Sequence, residues 1–418
     1  MAARLLPVLV WLFPILFFAY QFVLRLFPGL VMPDLMAFYQ VNATDFGWLA
    51  SVYYFGYAGM QIPIAILLDY YSPRWVIFGC VCLCSVGAFL MVTSTSWPVA
   101  LLSRFLIGVG SAAGFLGVSK VISQWFPPQW YGRMVGLSFT LGLMGAIFGG
   151  KPISLLIERW GWQDALVGLA WLALGLALAI AIIVRKPRQD SQGVKSAPLS
   201  WASFKSVFTN PAILWLAFAN LLMVGALEGF ADVWGVSYFM TIHHLEKSEA
   251  AGLTSLIFFG MIFGGPILGF IAEKFNRYYS VTAFCAFAMS AIFGSILVMG
   301  PALSLWMTKI FMFLTGVFCC YQVVVFAIGA RMVPLGLISV AVAFLNSINM
   351  FGGSFFHSVI GRLMDWRWVQ TGEIVEGVRI YSESHYTFAL AVIPVSALVG
   401  AFGVGVARWR DKACAKKR

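Results

Sequence analysis

The sequence predicts an all-α membrane protein, with twelve transmembrane helices arranged as two pseudo-symmetric six-helix bundles. Three observations predict it. Apolar runs of about 20 residues, the length a bilayer demands, fill most of the chain. A short hydrophilic stretch is written twice, 204 residues apart, with Asp69 in the first copy and Glu273 in the second. Basic residues crowd onto alternate connections between the runs.

Of the 418 residues, 61% are hydrophobic, only 10% are charged, and the mean hydropathy is +0.89. A soluble domain carries about 25% charged residues, so most of this chain is excluded from water. The apolar runs fall at 7–31, 46–68, 76–95, 98–122, 132–156, 164–184, 212–236, 250–272, 280–299, 303–328, 336–360 and 386–407. Arg4 followed by apolar residues has the opening of a signal peptide, but Tyr20, Gln21 and Arg25 occupy the place of a small-residue cleavage site. The first run is therefore expected to stay as a helix. Connections are short except at 185–211, where Arg185, Lys186, Arg188, Lys195 and Lys205 lie among Ser and Pro residues. The expected organisation is an N-terminal bundle over 1–184, a cytoplasmic linker over 185–211, and a C-terminal bundle with a basic tail over 212–418. A second longer connection, 361–385, carries Glu373, Glu376 and Glu383.

With Arg133 and Asp164, at the edges of two runs, counted with the connections beside them, even-numbered connections and the two termini hold 17 of the 27 Lys and Arg residues, and the odd-numbered side holds 10 of the 16 acidic ones. Positive charge marks the cytoplasmic side, so both termini and the linker are expected there. The net charge of +11 is accounted for by this bias, and no nucleic-acid partner is implied. Cys80, Cys82, Cys84, Cys285, Cys319 and Cys320 lie inside apolar runs, where cysteine is a small buried residue and not a disulfide framework. No metal site, cofactor or nucleotide loop is expected, and nothing resembles an enzyme's catalytic arrangement.

The halves align. The shift that pairs Asp69 with Glu273 also pairs Asp45 with Glu249, Ser51 with Ser255, and Phe55-Gly56 with Phe259-Gly260. Arg104 pairs with Lys309 at a shift of 205, and Gly149-Gly150 with Gly352-Gly353 at 203. Six-helix halves repeated in one orientation are a transporter architecture.

These motifs resemble the major facilitator superfamily over nearly the whole chain. Its loop signature, Gly-x-x-x-Asp-Arg-x-Gly-Arg-Arg, is similar to Gly269, Glu273, Lys274, Asn276 and Arg277 in the second copy. The first copy keeps Asp69 and Arg74 but has Ala65 and Tyr70 where a glycine and an arginine are expected. Arg104-Phe-Leu-Ile-Gly108 looks like the family's fourth-helix motif, Trp125-Phe126-Pro127-Pro128 with Gly132-Arg133 like its next loop, and Gly142 to Pro152 like its glycine-rich fifth helix. Tyr20 to Pro28, Lys120 and Val378 to Ser382 are similar to a bacterial sugar-phosphate-permease-like branch that also looks like lysosomal dipeptide transporters. The resemblance implies the twelve-helix major facilitator fold, a monomer in a bacterial inner membrane, and a gate. In that gate Asp69, Arg74, Gly269, Glu273, Lys274 and Arg277, with Arg104, hold cytoplasmic helix ends together. The second copy, being more complete, is expected to carry more of it.

Charges within spans cost roughly 2.5–3.5 kcal/mol each at the bilayer centre and mark function by default. Arg25, Arg104, Lys120, Lys151, Glu228, Asp232 and Lys309 are such residues. The surplus of positive charge suits a carboxylate or phosphate on the substrate. Arg25 and Lys309 are the expected anion holders, with Lys151 as a further cation and Tyr20 and Gln21 within reach of the same ligand as Arg25. For each, snorkelling or packing is the competing role. Glu228 is the expected proton carrier, static pairing being its alternative, with Asp232 one turn away and nearer solvent. Tyr321, Gln322, Asn346 and Asn349 are further candidate liners, and Arg104 and Lys120 are expected to be mainly structural or snorkelling. His357 and His385 are expected near the outer ends.

The expected activity is secondary transport, by alternating access and coupled to protons, of a small polar anion: an amino acid, a short peptide or an organic acid. A receptor-like subunit that binds without carrying is opposed by the retained loop motifs. An exporter of hydrophobic compounds is opposed by the five basic residues in spans.

Overall fold

A computed structural model describes residues 2–185, 205, 207–334, 337–375 and 378–415. Most of the expected linker, including Lys186, Arg188 and Lys195, lies outside the described residues, as does Glu376. Among the described residues, eleven helices are long and apolar enough to cross a membrane. They are α1 (Leu6–Leu30), α2 (Ala43–Tyr70), α3 (Pro73–Thr93), α4 (Trp97–Trp125), α5 (Tyr131–Trp160), α6 (Trp162–Ile183), α7 (Pro211–His243), α8 (Lys247–Lys274), α9 (Tyr278–Ala302), α10 (Leu305–Arg331) and α12 (Glu383–Ala413). The twelfth, α11 (Ile338–Thr371), is long enough at 34 residues but diluted by polar ones from Asn346 to Ser358.

Two differences from the expected layout concern polar segments that apolar patterning does not reach. A short helix, Met32–Tyr39, follows α1, started by Pro33 and ended by Gln40 in the left-handed region (φ 53°). The connection expected over 361–385 is largely structured: α11 runs on to Thr371, and β1 (Glu373–Val375) then pairs antiparallel with β2 (Val378–Ile380), Glu373 opposite Ile380.

The chain divides into two compact units whose borders cut through α2 and α8. Unit 1 holds 1–41, 48–195 and Lys247–Gly252; unit 2 holds Asn42–Gly47, 196–246 and 253–418. The first turns of α2 and α8 thus belong with the unit opposite to the rest of their helices.

Each unit repeats the same close helix crossing. A Cβ on Gly56 of α2 would sit 2.6 Å from the Phe105 carbonyl of α4, and one on Gly108 would collide with the Tyr53 carbonyl of α2. In unit 2, Gly260 of α8 meets the Phe313 carbonyl of α10 and Gly316 meets the Ile257 carbonyl in the same manner. Without a hydrophobic drive between helices in lipid, such backbone approach is what holds them, and only glycine permits it. Gly145 of α5 likewise abuts the backbone of Ala19 in α1, and Gly352 of α11 lies 2.9 Å by its notional Cβ from the Leu221 carbonyl of α7. The duplication read from spacing is therefore a duplication of contacts.

Candidate functional site

The polar interior of unit 1 is organised by a proline. Pro28 lies inside α1 and has no N–H, so the Leu24 carbonyl, four residues earlier, lacks its helical donor. Water is scarce at such a depth and another group must satisfy it. Arg104 of α4 does so: its Nη1 donates to Leu24 O at 2.9 Å and its Nη2 to Arg25 O at 3.5 Å, with the guanidinium 4.8 Å from the Tyr53 ring centroid. The side chain is buried and supports the α1 backbone at Arg25. Arg104→Met is expected to destabilise the protein by about 1–3 kcal/mol, the cost of an orphaned buried carbonyl. In a Pro28→Ala background, where the substituted residue brings back the missing N–H, most of that loss should vanish in a melting-based double-mutant cycle.

Arg25 is buried, with Cζ 5.5 Å from the Phe22 ring and 5.3 Å from the Tyr54 ring. Beside it Tyr53 donates its hydroxyl to Gln21 Oε1 at 3.0 Å, and Tyr53 stacks with Tyr57 at 6.0 Å. Gln21, Arg25, Tyr53, Tyr54 and Tyr57 therefore form one aromatic and hydrogen-bonding cluster about a guanidinium. Three of these five, the tyrosines of α2, were missed from sequence; their i and i+4 spacing in the run Tyr53-Tyr54-Phe55-Gly56-Tyr57 was the available signal. Tyr20 differs from expectation. Its hydroxyl donates to Leu169 O in α6 at 2.8 Å, a packing contact between helices.

In unit 2, Glu228 and Asp232 lie on a wide π-helical stretch, Gly225–Trp234, in the middle of α7. Each is only 2% exposed. For Asp232 this corrects the expectation of solvation, because the widened turn keeps it within the packed helix. Such π segments recur at functional sites, since the extra residue per turn redirects side chains. Glycines supply the room: a Cβ on Gly225 or Gly229 would meet the ring or Cβ of Phe356 in α11 within 3 Å.

The tenth and eleventh helices add amides. Tyr321 donates its hydroxyl to Asn220 O at 3.0 Å, and Asn220 Nδ2 donates to Leu345 O at 3.1 Å, so both act in helix packing. Among the described residues, Asn349 is fully buried with no partner for either amide atom, and Gln322 Nε2 is buried without an acceptor. Asn346, half-buried, lies a turn before Asn349. An unmet buried polar atom costs about 1–3 kcal/mol, which a bound solute or water would recover. Lys309 lies one turn into α10 and is exposed, whereas its repeat mate Arg104 lies two turns into α4 and is buried; the two do not share a depth or role. Lys151 is exposed at the Gly149-Gly150 break, its stem 3.7 Å from where a Gly252 Cβ would stand.

The two copies of the loop motif are partnered differently. In the first, Asp69 accepts an ion pair from Lys120 of α4 at 2.6 Å, while Arg74 stacks on Trp75 at 4.7 Å. Lys120 supplies the charge that Tyr70 lacks, and is not merely snorkelling. In the second, Glu273 is exposed and makes no ion pair among the described residues, and Lys274 lies over Phe270 and Phe275. Gly269 has open space around it, and Arg277 lines a surface cleft with Tyr278. Arg331 of α10 braces the turn instead, donating to Asn276 Oδ1 at 3.1 Å and Tyr278 OH at 2.6 Å. Asp69 is largely exposed, so Asp69→Asn is expected to cost less than about 1 kcal/mol in melting. It should nonetheless alter uptake, and Glu273→Gln should leave it unchanged.

At the other end of each unit a carboxylate caps a helix start. In unit 2, Asp365 of α11 accepts from Thr44 N (2.7 Å), Thr44 Oγ1 (2.5 Å), Tyr381 OH (2.5 Å) and Arg379 Nη1 (2.9 Å), while Ala43 N donates to Tyr381 OH at 3.0 Å. Burial, then the hydrogen bond to Asp365, raise the Tyr381 hydroxyl above its ordinary pKa, so it remains a donor. In unit 1, Glu158 of α5 accepts from Ser248 N at 2.9 Å, and Lys247 pairs with Asp34 at 2.8 Å. Asp365 and Glu158 thus satisfy first-turn N–H groups, of Thr44 and Ser248, that a helix leaves unpaired. The histidines expected near exposed outer ends are buried. His385 caps α12 by accepting from Ser382 N at 2.9 Å, and His357 is fully enclosed in α11.

The family model of the Major Facilitator Superfamily matches residues 12–357. The uncharacterized transporter YybO of Bacillus subtilis is 22% identical over 359 residues, covering 80% of this chain and 82% of that one. The hexuronate transporter of Bacillus subtilis is 21% identical over 254 residues, 57% of this chain and 58% of its own. Among solved structures, a bacterial homologue of the human lysosomal transporter Spinster superposes with a TM-score of 0.72 at 18% identity, over 99% of this chain and 97% of that one. At that identity the likeness is one of fold. With the duplicated crossings, the twelve helices and the match over most of its length, the chain belongs to the major facilitator superfamily and is an integral membrane transporter.

Proposed function

We propose that the transported solute is a small organic anion bearing a carboxylate, carried by alternating access and coupled to a proton. The observation that carries this reading is Arg25, a guanidinium buried within a membrane helix against Phe22 and Tyr54, its backbone held by Arg104. A charge so placed is costly unless it is paired or used, and the planar fork of five donors matches a carboxylate better than any other side chain does. Aromatic faces beside it suit the apolar portion of a small acid, and the Gln21–Tyr53 pair offers polar contacts. Glu228 and Asp232, buried on a widened helix, are the groups suited to take up and release the proton. The name of the hexuronate transporter, a relative at low identity, agrees with a carboxylate substrate.

A melting screen of the purified protein tests the substrate class. Ligands that bind only the folded state raise the midpoint, by about 2.7 kcal/mol of stabilisation at 100 times Kd. Sugar acids and small carboxylates are expected to raise it, while neutral sugars of the same size are not. Stabilisation by neutral sugars alone would overturn the anion reading.

A further inference from the structure

Unit 2 carries a second binding feature, remote from Arg25, Glu228 and Asp232 in sequence and built for a different ligand. At the end of the unit where α8 turns into α9 and α12 ends, a cleft of ≈ 500 Å³ is lined by Arg277, Tyr279, Ser280, Arg408, Asp411 and Lys412 among others. Three cations face one carboxylate, and that carboxylate is engaged, since Tyr279 donates its hydroxyl to Asp411 Oδ2 at 3.0 Å. Among the described residues none of Arg277, Arg408 and Lys412 forms an ion pair, and all three are exposed. The first turn of α9 opens on the same cleft with no side chain among the described residues capping it, adding the positive end of a helix dipole.

This cleft adjoins a groove of ≈ 560 Å³ of opposite character. The two share Arg277 and Ser280. Beyond them the groove is walled by Ile267 and Ile271 of α8, Phe275 in the turn after it, Phe284 of α9, and Val317 and Phe318 of α10. Phe284, 61% exposed, lies on α9, a helix that spans the membrane, so hydrocarbon and not water is its surrounding, and Phe275, 60% exposed, stands at the mouth of the groove in the turn just after α8. Trp409, 62% exposed beside Arg408, has the amphipathic ring that settles at headgroup level.

We infer that cleft and groove together are a binding site for one anionic glycerophospholipid, its phosphate among Arg277, Arg408 and Lys412 and an acyl chain along Ile271, Phe275 and Phe284. A free phosphate would use the cationic cleft and have no need of the groove. A zwitterionic lipid would fill the groove but bring its own cation to a cleft that already has a surplus of positive charge. Only a ligand with net negative charge at one end and hydrocarbon at the other satisfies both. Basic residues at a membrane surface strengthen anionic-lipid binding by about fivefold each, so neutralising all three is expected to weaken it by roughly a hundredfold.

The test is native mass spectrometry of the full-length protein in detergent, titrated with phosphatidylglycerol or phosphatidylcholine of matched chains. Phosphatidylglycerol is expected to be retained at least about tenfold more tightly. The variant R277Q/R408Q/K412Q should lose that preference while keeping its melting midpoint. V317W, which fills the groove, should weaken retention of long-chain phosphatidylglycerol and leave short-chain retention less affected. Should the triple variant fold poorly, K412Q alone, an exposed change near the chain end, is expected to give the fivefold step. Equal retention of the two lipids, a preference unchanged in the triple variant and in K412Q, or complete competition by inorganic phosphate with no effect of V317W would each overturn the proposal.

Discussion

Arg25→Ala is expected to reduce uptake of a carboxylate substrate by about 10–200-fold, with the protein still folded and membrane-inserted. The magnitude follows from losing charge-assisted hydrogen bonds worth about 1.5–3 kcal/mol, at tenfold per 1.4 kcal/mol. Arg25→Lys should recover only part, because an ammonium keeps the charge but lacks the planar fork and stacks less well on Phe22 and Tyr54. Tyr53→Phe removes the hydroxyl donated to Gln21 and is expected to cost less than the loss of the cation, about a factor of 5–10. Tyr20→Phe, whose hydroxyl is spent on Leu169, should affect stability and leave substrate affinity unchanged. The contrast between Tyr53 and Tyr20 separates a binding cluster from ordinary packing.

Asp365→Ala is expected to have a larger effect on stability than Glu158→Ala, about 2–4 kcal/mol, because it leaves several buried or half-buried donors without their acceptor. Four donors converge on Asp365, and its loss strands Arg379, Tyr381 and the first turn of α2 together. Glu158→Ala removes the single acceptor for Ser248 N, and the expected cost is that of a lost helix cap, about 1 kcal/mol. Asp365→Asn should fall between, since an amide keeps one carbonyl for Thr44 but has no charge for Arg379. Melting of the three purified variants in one detergent ranks them; equal midpoints for Asp365→Ala and Glu158→Ala would contradict the assigned contacts.

The bundle architecture was legible because bilayer thickness imposes a length that apolar runs must meet, and because Asp69/Glu273 and Gly56/Gly260 carry the duplication in plain register. The polar connections were less legible. The hairpin at 373–380 and the extension of α11 to Thr371 are set by local contacts such as Trp368 Nε1 donating to Ile380 O, which no periodicity shows. The charged residues were found, but their partners were not. Lys120 belongs with Asp69 across 51 residues, and Arg104 with Leu24 across 80, so neither pairing follows from spacing. Pro28 was the missed clue to the second, since a proline inside a membrane helix leaves one identifiable carbonyl without a donor. Motif completeness does not reveal pairing in the loop copies either: the poorer copy, with Tyr70 in place of a cation, pairs Asp69 with Lys120 from another helix.

Flux through the reconstituted protein tests the central claim most directly. In proteoliposomes, uptake of a labelled hexuronate is to be measured with and without an inward proton gradient, for the natural chain, Arg25→Ala and Glu228→Gln. Uptake accelerated by the gradient in the natural chain, lost in Arg25→Ala, and insensitive to the gradient in Glu228→Gln is the predicted result. Binding without flux in the natural chain, or gradient-driven uptake that survives Arg25→Ala, would contradict it.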